Sequence, residues 1–241
     1  MAKPPSDQPP AAPFAGFGPA ALSFFADLAA NQSREWFLAN KATYERDIRA
    51  PLGSLIEALA FAFAAHDIPL TGDAKRSLFR IHRDVRFSKD KSPYKTNAGA
   101  VMTRDGTKQS NGLLYVQIGG EEGSFAGVGF YGLEPKDLTA IRHFMVARPE
   151  RWAAVREGLD AAGLDLSMGA PLARLPKGFE DQAGSPLADD LKRRHLIVSR
   201  PIAPERLRQV ELIDDIVDLS TAAQPLLTFG WSALDRARGP A

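Results

Sequence analysis

One basic stretch holds the residue types best suited to binding chemistry. Residues 76–95 contain seven Lys or Arg and two acidic residues, a net charge of +5, whereas the whole chain of 241 residues carries only +1. Like charges held close together repel, so this concentration favours a compensating anion. The near-neutral total excludes a chain that coats nucleic acid through bulk charge. Any function of these cations is therefore local.

The residue types in this stretch suit the capture of an oxyanion. Arginine forks match phosphate or carboxylate groups, lysines add compact charges, hydroxyl groups donate hydrogen bonds, and two carboxylates can orient the forks. Pro93 stiffens the loop and biases the residue before it to an extended form. A solvated loop whose acids pair with neighbouring cations stays open as an alternative. The candidate ligand-binding residues are Arg80, Arg83, Asp84, Arg86, Ser88, Asp90, Lys91, Tyr94 and Lys95.

The same stretch resembles the signature of a protein family. The run Arg80-Ile-His-Arg-Asp-Val-Arg-Phe-Ser-Lys-Asp-Lys-Ser-Pro-Tyr-Lys95 is similar to the motif of domain-of-unknown-function family 2461, which is bacterial and fungal. Supporting segments are Arg34–Phe37, Gly127–Tyr131 and Leu175–Phe179, so the resemblance covers residues 17–230. It implies an α+β domain and a shared basic site, and it supplies no reaction.

Other chemistries find little support in the sequence. The absence of cysteine excludes a Cys nucleophile, a thiolate zinc site and an Fe–S cluster. The four histidines occur singly, so we expect no metal site and no cofactor. Gly127–Gly132 matches G-x-G-x-x-G but lies in a strand pattern with bulky aromatic residues, which disfavours dinucleotide binding. His82, beside two arginines, is the histidine to examine as an acid or base.

A second, smaller cationic cluster lies at Lys192–His195. Two interpretations stay open for it. It completes the charge set at a helix C-terminus, which we favour, or it forms a second wall of the anion site.

The hydrophobic periodicity changes along the chain. Helical spacing predicts three helices before residue 66, two helices opened by Pro135 and Pro149, and a long helix from Pro204. Between them, short runs rich in β-branched and aromatic residues predict antiparallel strands with turn signals at Asp105-Gly106 and Gly119-Gly120. The predicted strands are Leu78–Arg83, Ala98–Arg104, Leu113–Ile118, Phe125–Tyr131 and His195–Ser199.

This order of elements predicts an α+β fold, with N-terminal helices, a central antiparallel sheet carrying a long basic loop (residues 84–97), and C-terminal helices. Residues 1–18 are rich in Pro and Ala, a composition that predicts a disordered tail. Residues 19–241 are predicted to form a single domain. The N-terminus lacks an apolar signal-peptide region, so we expect a cytoplasmic location and no membrane partner.

Three functions remain open from the sequence. The first is a site for a phosphorylated or otherwise anionic small molecule. The second, less favoured, is a module that contacts nucleic acid, since Phe87 and Tyr94 are the few aromatic candidates for stacking. The third is an interaction domain without enzymatic activity. The residues specify no reaction and no oligomeric state.

Overall fold

A computed structural model describes residues 13–166 and 169–239. Most of the predicted tail, residues 1–12, lies outside the described residues. The described chain forms one four-stranded antiparallel sheet in the order β1-β2-β3-β4, with helices before and after it. The predicted α+β fold is therefore confirmed.

The strands are β1 Asn97–Thr103, β2 Leu113–Gly119, β3 Phe125–Phe130 and β4 Leu196–Pro201. The helices are α1 Ala21–Ala30, α2 Arg34–Tyr44, α3 Ala50–Ala65, α4 Pro135–Ala147, α5 Pro149–Ala161, α6 Ala188–Leu191 and α7 Leu212–Arg238. Helix α7 packs against β3 and β4, while α1 packs against β2 and α3 against β1. Helices α3, α4 and α5 also pack against α7, which makes α7 the centre of the helical layer.

Local sequence explains where several helices begin. Ser33 caps α2 by accepting a hydrogen bond from the backbone N–H of Trp36. Prolines occupy the first turn of α4 and α5, where a missing N–H costs nothing. A π-helical turn, Glu45–Arg49, joins α2 to α3 without a break. The sequence therefore predicts these starts through residues that satisfy or avoid unpaired N–H groups.

The joined helices Arg34–Ala65 have the length and mean hydropathy, 1.4, of a segment that could cross a membrane, and no other described helix does. One face of these helices lies inside the protein, although Leu38 and Phe61 are exposed. Leu52, Leu55, Ile56 and Phe63 are at most 1% exposed, and each belongs to the hydrophobic core. These contacts are those of a core helix.

The strand register separates the two faces of the sheet. Met102, Leu114, Val128 and Val198 are paired in turn across the four strands, and all are fully buried beneath the helices. The next residues along the strands belong to the opposite face, because side chains alternate. One such row runs through Val101, Tyr115, Gly127 and Ser199. This row places the large Tyr115 ring beside Gly127, on the face away from the helices, which we call the open face.

The predicted strand Leu78–Arg83 is wrong as a regular strand. The chain forms only two isolated bridges there, Leu78 with Ala100 and His82 with Tyr94. It bends between them, at Ile81, which turns inward to the core. Strict alternation fails as a result: Phe79 lies beside Tyr115 on the open face, with ring centroids 6.2 Å apart, while Ile81 is buried.

Two boundaries also differ from the sequence prediction. Helix α7 begins at Leu212 rather than Pro204, because residues 206–208 form a separate 3-10 turn. The described end of the predicted tail is docked: Phe14 and Phe17 are each 5% exposed and lie in the core. The backbone N–H of Phe17 also donates to the carbonyl of Leu207, at 2.8 Å. The aromatic side chains supply the apolar area that the rest of the segment lacks.

Candidate functional site

Both carboxylates of the basic loop pair with arginines. Arg86 makes two hydrogen bonds to Asp84, with Nη2 to Oδ2 at 2.7 Å and Nε to Oδ1 at 3.0 Å. Arg83 forms an ion pair with Asp90 across the loop. The Lys91 ammonium group donates to the carbonyl of Val85 at 2.9 Å. Arg83, Arg86 and Lys91 therefore stabilise the shape of the loop. This pairing is the alternative to an anion site that the sequence left open.

Asp90 is the residue around which the loop closes. Besides its pair with Arg83, it accepts hydrogen bonds from the Ser92 hydroxyl at 2.6 Å and from the Ser92 N–H at 2.9 Å. The hydrogen bond from Arg83 and those from Ser92 hold the pKa of Asp90 far below its ordinary value. Similarly, Arg86 is the main cause of a lowered pKa at Asp84. Both carboxylates are charged at neutral pH.

Tyr94 is a packing residue rather than an exposed donor. Its side chain is 3% exposed, and its ring stacks on Phe37 with centroids 4.5 Å apart. The Tyr94 N–H donates to Oε1 of Gln32, on the link between α1 and α2, at 3.1 Å. The His82 ring contacts both rings, with centroids 5.1 Å from Tyr94 and 6.0 Å from Phe37. Tyr94 therefore fastens the end of the basic loop to the helical layer.

The structure divides the nine predicted residues among different surroundings. Arg83, Asp90, Tyr94 and Lys95 line a shallow cavity of about 350 Å³ beside α1. Lys95 also lines a second and larger cavity, described below. The remaining five residues line neither cavity; they are Arg80, Asp84, Arg86, Ser88 and Lys91.

The larger cavity, of about 640 Å³, lies on the open face of the sheet, and we name it the sheet groove. Its floor is formed by residues of all four strands. One wall lies along the outer side of β1, and the other is formed by residues that follow β3 and precede β4. The lining residues are Phe79, Lys95, Val101, Lys108, Leu113, Tyr115, Gln117, Glu122, Phe125, Tyr131, Gly169, His195 and Ile197.

Two lysines occupy the β1 wall of the sheet groove. The ammonium nitrogens of Lys95 and Lys108 lie 5.4 and 5.0 Å from the centre of the Phe79 ring, and are therefore at most 10.4 Å apart. Burial lowers the pKa of both lysines, and at Lys95 the nearby charges of Arg80 and Lys108 lower it further. Among the described residues, neither lysine pairs with a carboxylate.

His195 and Tyr131 form the opposite wall. Their rings are stacked, with centroids 4.2 Å apart. Nδ1 of His195 accepts a hydrogen bond from the Gly132 N–H at 3.1 Å, so the neutral ring carries its proton on Nε2. Burial, and after it the charge of Arg194, lowers the pKa of His195, which favours that neutral form. This wall offers an N–H donor and an aromatic face.

Tyr115 and Gln117 are fixed on the floor. The Tyr115 hydroxyl donates to Oε1 of Gln117 at 3.3 Å, and the Gln117 amide donates to the carbonyls of Gly119 and Gly123. Burial raises the pKa of Tyr115, and the nearby Glu122 and Tyr131 raise it further. The floor thus presents a rigid, uncharged aromatic ring beside the strand glycines.

Of the nine residues predicted from the sequence, only Lys95 lines the sheet groove. Lys108 lies in the turn between β1 and β2, and no motif distinguishes it. Tyr115 and Gln117 alternate along β2 with the apolar core residues Leu114, Val116 and Ile118, which is a signal for a second face of the sheet but not for a ligand. In the Lys192–His195 cluster, Lys192 and Arg193 pair with Asp189 and Asp190 of α6, as a helix-end charge set would. His195 alone of these four lines the groove.

Among the described residues there is no group of three or more His, Asp or Glu side chains that could hold a metal ion.

The fold and the sheet groove define a class of α+β protein with an aromatic, cationic cavity on the open face of its sheet. The chain belongs to the family described as "Conserved hypothetical protein (DUF2461)", whose family model matches residues 20–229. No curated protein and no solved structure matches the chain.

Proposed function

We propose that the protein binds small planar anions in the sheet groove. The observation that carries this proposal is the pair of lysines, Lys95 and Lys108, that share the Phe79 ring at the wall of an aromatic cavity. The planar part of a ligand would contact Tyr115 or Tyr131, and its anionic group would lie beside the lysines. The His195 N–H supplies a donor on the other wall.

Electrostatics favours an anion at this wall. Two unit charges ~10 Å apart repel by roughly 2 kcal/mol at an effective dielectric of about 20, and by less in salt. Arg80 adds a third nearby charge, because its field acts on Lys95. A bound phosphate or carboxylate offsets this repulsion. Glu122, at the β2–β3 end of the groove, limits the space favourable to an anion to the lysine side.

The size of the cavity favours a small molecule. Its volume of about 640 Å³ lies within the range, ~300–1,000 Å³, that is typical of small-molecule sites. The aromatic walls provide apolar area, and a few polar groups provide orientation. This composition suits a ligand with one flat ring and one anionic group.

Calorimetric titration with three probes separates the two parts of this recognition. Adenosine carries a ring, inorganic phosphate carries the charge, and AMP carries both. We expect AMP to bind more tightly than either of the others. In Lys108→Ala we expect about tenfold weaker AMP binding, which corresponds to about 1.4 kcal/mol.

Lys89→Ala is the matched control, because Lys89 is an exposed cation of the basic loop outside the groove. We expect its AMP affinity to stay within about twofold of wild type. An equal loss in both variants would mean that AMP responds only to overall positive charge. That result, or the absence of AMP binding to the wild type, would overturn the proposal.

Nucleic-acid contact has one observation in its favour. Phe87, at the tip of the basic loop, is 95% exposed, with the Arg86 guanidinium 5.8 Å from its ring centre. Tyr94, the other aromatic candidate, is buried and unavailable for stacking. If DNA neutralised about four cations, log K against log salt would have a slope of roughly −3 to −4. Such steep, length-dependent binding, lost in Phe87→Ala, would favour this function over the small-anion site.

We also propose that the protein acts in the cytoplasm. The apolar stretch of α3 is part of the hydrophobic core, which argues against its use as a membrane anchor. Cell fractionation with detection of the native protein tests this location. Recovery in the membrane pellet after a high-salt wash would contradict it.

A further inference from the structure

The two lysines of the sheet groove differ in how they are held. The Lys108 ammonium group donates to the carbonyl of Leu78 at 2.6 Å, which fixes it as a stationary charge. The Lys95 ammonium group makes no hydrogen bond or ion pair with any described residue, and it lies over the face of the Phe79 ring. Lys95 is only partly exposed. Its amine is therefore both accessible from the groove and unused.

The surroundings of Lys95 favour loss of its proton. Burial is the largest cause of its lowered pKa, and the charges of Arg80 and Lys108 act in the same direction. Other charged or titratable groups that face it from the two adjoining cavities are Arg83, Asp90, Tyr115, Glu121, Glu122 and His195. Asp90 is already paired with Arg83, so the two glutamates are the groups that oppose deprotonation.

A lysine amine that is partly desolvated and flanked by other cations is suited to nucleophilic attack on a carbonyl group. We propose that Lys95 is a nucleophile that forms a Schiff base with planar, anionic aldehydes or ketones held in the sheet groove. This inference rests on the proposed function, since the groove must first hold the ligand. Lys108 then binds the anionic group, and Lys95 reacts with the carbonyl carbon.

The step balances without any oxidant or reductant. The neutral Lys95 nitrogen attacks the carbonyl carbon, a C–N bond forms, and the π electron pair moves to oxygen, which takes a proton from water. The nitrogen gives one proton to water, and the carbinolamine then expels its oxygen as water to leave a C=N bond. Amine and carbonyl compound are thus converted to imine and one water molecule.

Pyridoxal 5′-phosphate is a suitable probe because it combines a flat ring, an aldehyde and a phosphate. The full-length protein is incubated with it at mildly alkaline pH, reduced with borohydride to trap the imine, digested, and mapped by mass spectrometry. We expect Lys95 to be labelled several-fold faster than the exposed Lys89. We also expect AMP to protect Lys95, because both compounds occupy the groove, and to leave labelling of Lys89 unchanged.

Lys95→Arg keeps the charge but cannot form an imine, so total labelling should fall to the level of the exposed lysines. Because the site is mapped in the wild type, the test does not depend on how well this variant folds. If AMP binds the wild type while Lys95 is labelled no faster than Lys89, the nucleophile proposal is overturned and the proposed function stands. If neither AMP nor pyridoxal phosphate binds the groove, both proposals are overturned.

Discussion

Gly129 sets how closely β4 approaches β3 beside the groove. Its φ is +140°, and a Cβ atom there would lie 2.2 Å from the backbone carbonyl oxygen of Leu196. Backbone cannot yield as a flexible side chain can, so any larger residue must separate the strands. We expect Gly129→Ala to lower the free energy of unfolding by about 2–4 kcal/mol in urea denaturation.

Gly127 is the matched control for this effect, since it lies on the same strand and the same face. A Cβ atom on Gly127 would have its nearest contact at 3.3 Å, with the end of the Ile197 side chain, which can move. Gly127→Ala should therefore cost less than about 1 kcal/mol. Equal losses in the two variants would contradict the proposed role of the Gly129 backbone.

His195 should make stability depend on pH in a defined direction. Its pKa is lowered in the folded protein by burial and then by Arg194, so the unfolded chain binds the proton more readily. The stability that comes from the neutral ring is present above the ordinary pKa, about 6.5, and is lost as the pH falls below it. Wild type should thus lose melting temperature between pH 7 and 5 more steeply than His195→Gln. Parallel curves would contradict this prediction.

At the scale of an element, the basic loop owes its shape to Asp90 more than to Asp84. Asp90 pairs with Arg83, seven positions earlier in the chain, and also accepts a hydrogen bond from Ser92. Asp84, in contrast, pairs with Arg86 only two positions away. Asp90→Asn should therefore loosen the loop and speed tryptic cleavage at Lys89 and Lys91 by several-fold. Trypsin should cleave the Asp84→Asn variant at nearly the wild-type rate. Faster cleavage in Asp84→Asn than in Asp90→Asn would reverse this assignment.

The docked N-terminal segment is a second element with a measurable role. Phe14 and Phe17 are buried edge to face, with centroids 5.7 Å apart. Removing one buried ring costs about 3 kcal/mol, so Phe14→Ala should lower the melting temperature by several degrees. Deletion of residues 1–12, which lack such side chains, should leave it unchanged. A Phe14→Ala variant as stable as wild type would contradict this packing role.

The elements that the sequence predicts well are those with local signals. The Ser33 cap, the prolines that open α4 and α5, and the turn glycines after β2 act within a few residues. Leu78–Arg83 has the composition of a strand, but its bend depends on burial of Ile81, a tertiary contact. The start of α7 is likewise displaced by the 3-10 turn that receives the N-terminal segment. Hydrophobic periodicity predicts neither the burial of Ile81 nor the contact of the N-terminal segment with this turn.

For the molecule as a whole, the sequence predicts a cationic site but not which cations lie close together in the fold. Lys95, Lys108 and His195 come from three separate segments, and only the antiparallel order β1-β2-β3-β4 brings them to one face of the sheet. The basic run looks like one site because its residues are adjacent in sequence. Arg83 and Arg86 instead pair with Asp90 and Asp84, which lie seven and two positions away from them.

The most direct measurement is a titration of ¹⁵N-labelled protein with AMP, followed by assigned backbone NMR shifts. If the sheet groove binds planar anions, the largest changes should occur at Lys95, Lys108, Tyr115 and Tyr131, on both walls and the floor. Residues 84–92 of the basic loop should change little. Shift changes confined to that loop, with none in the sheet groove, would contradict the binding of planar anions in the groove.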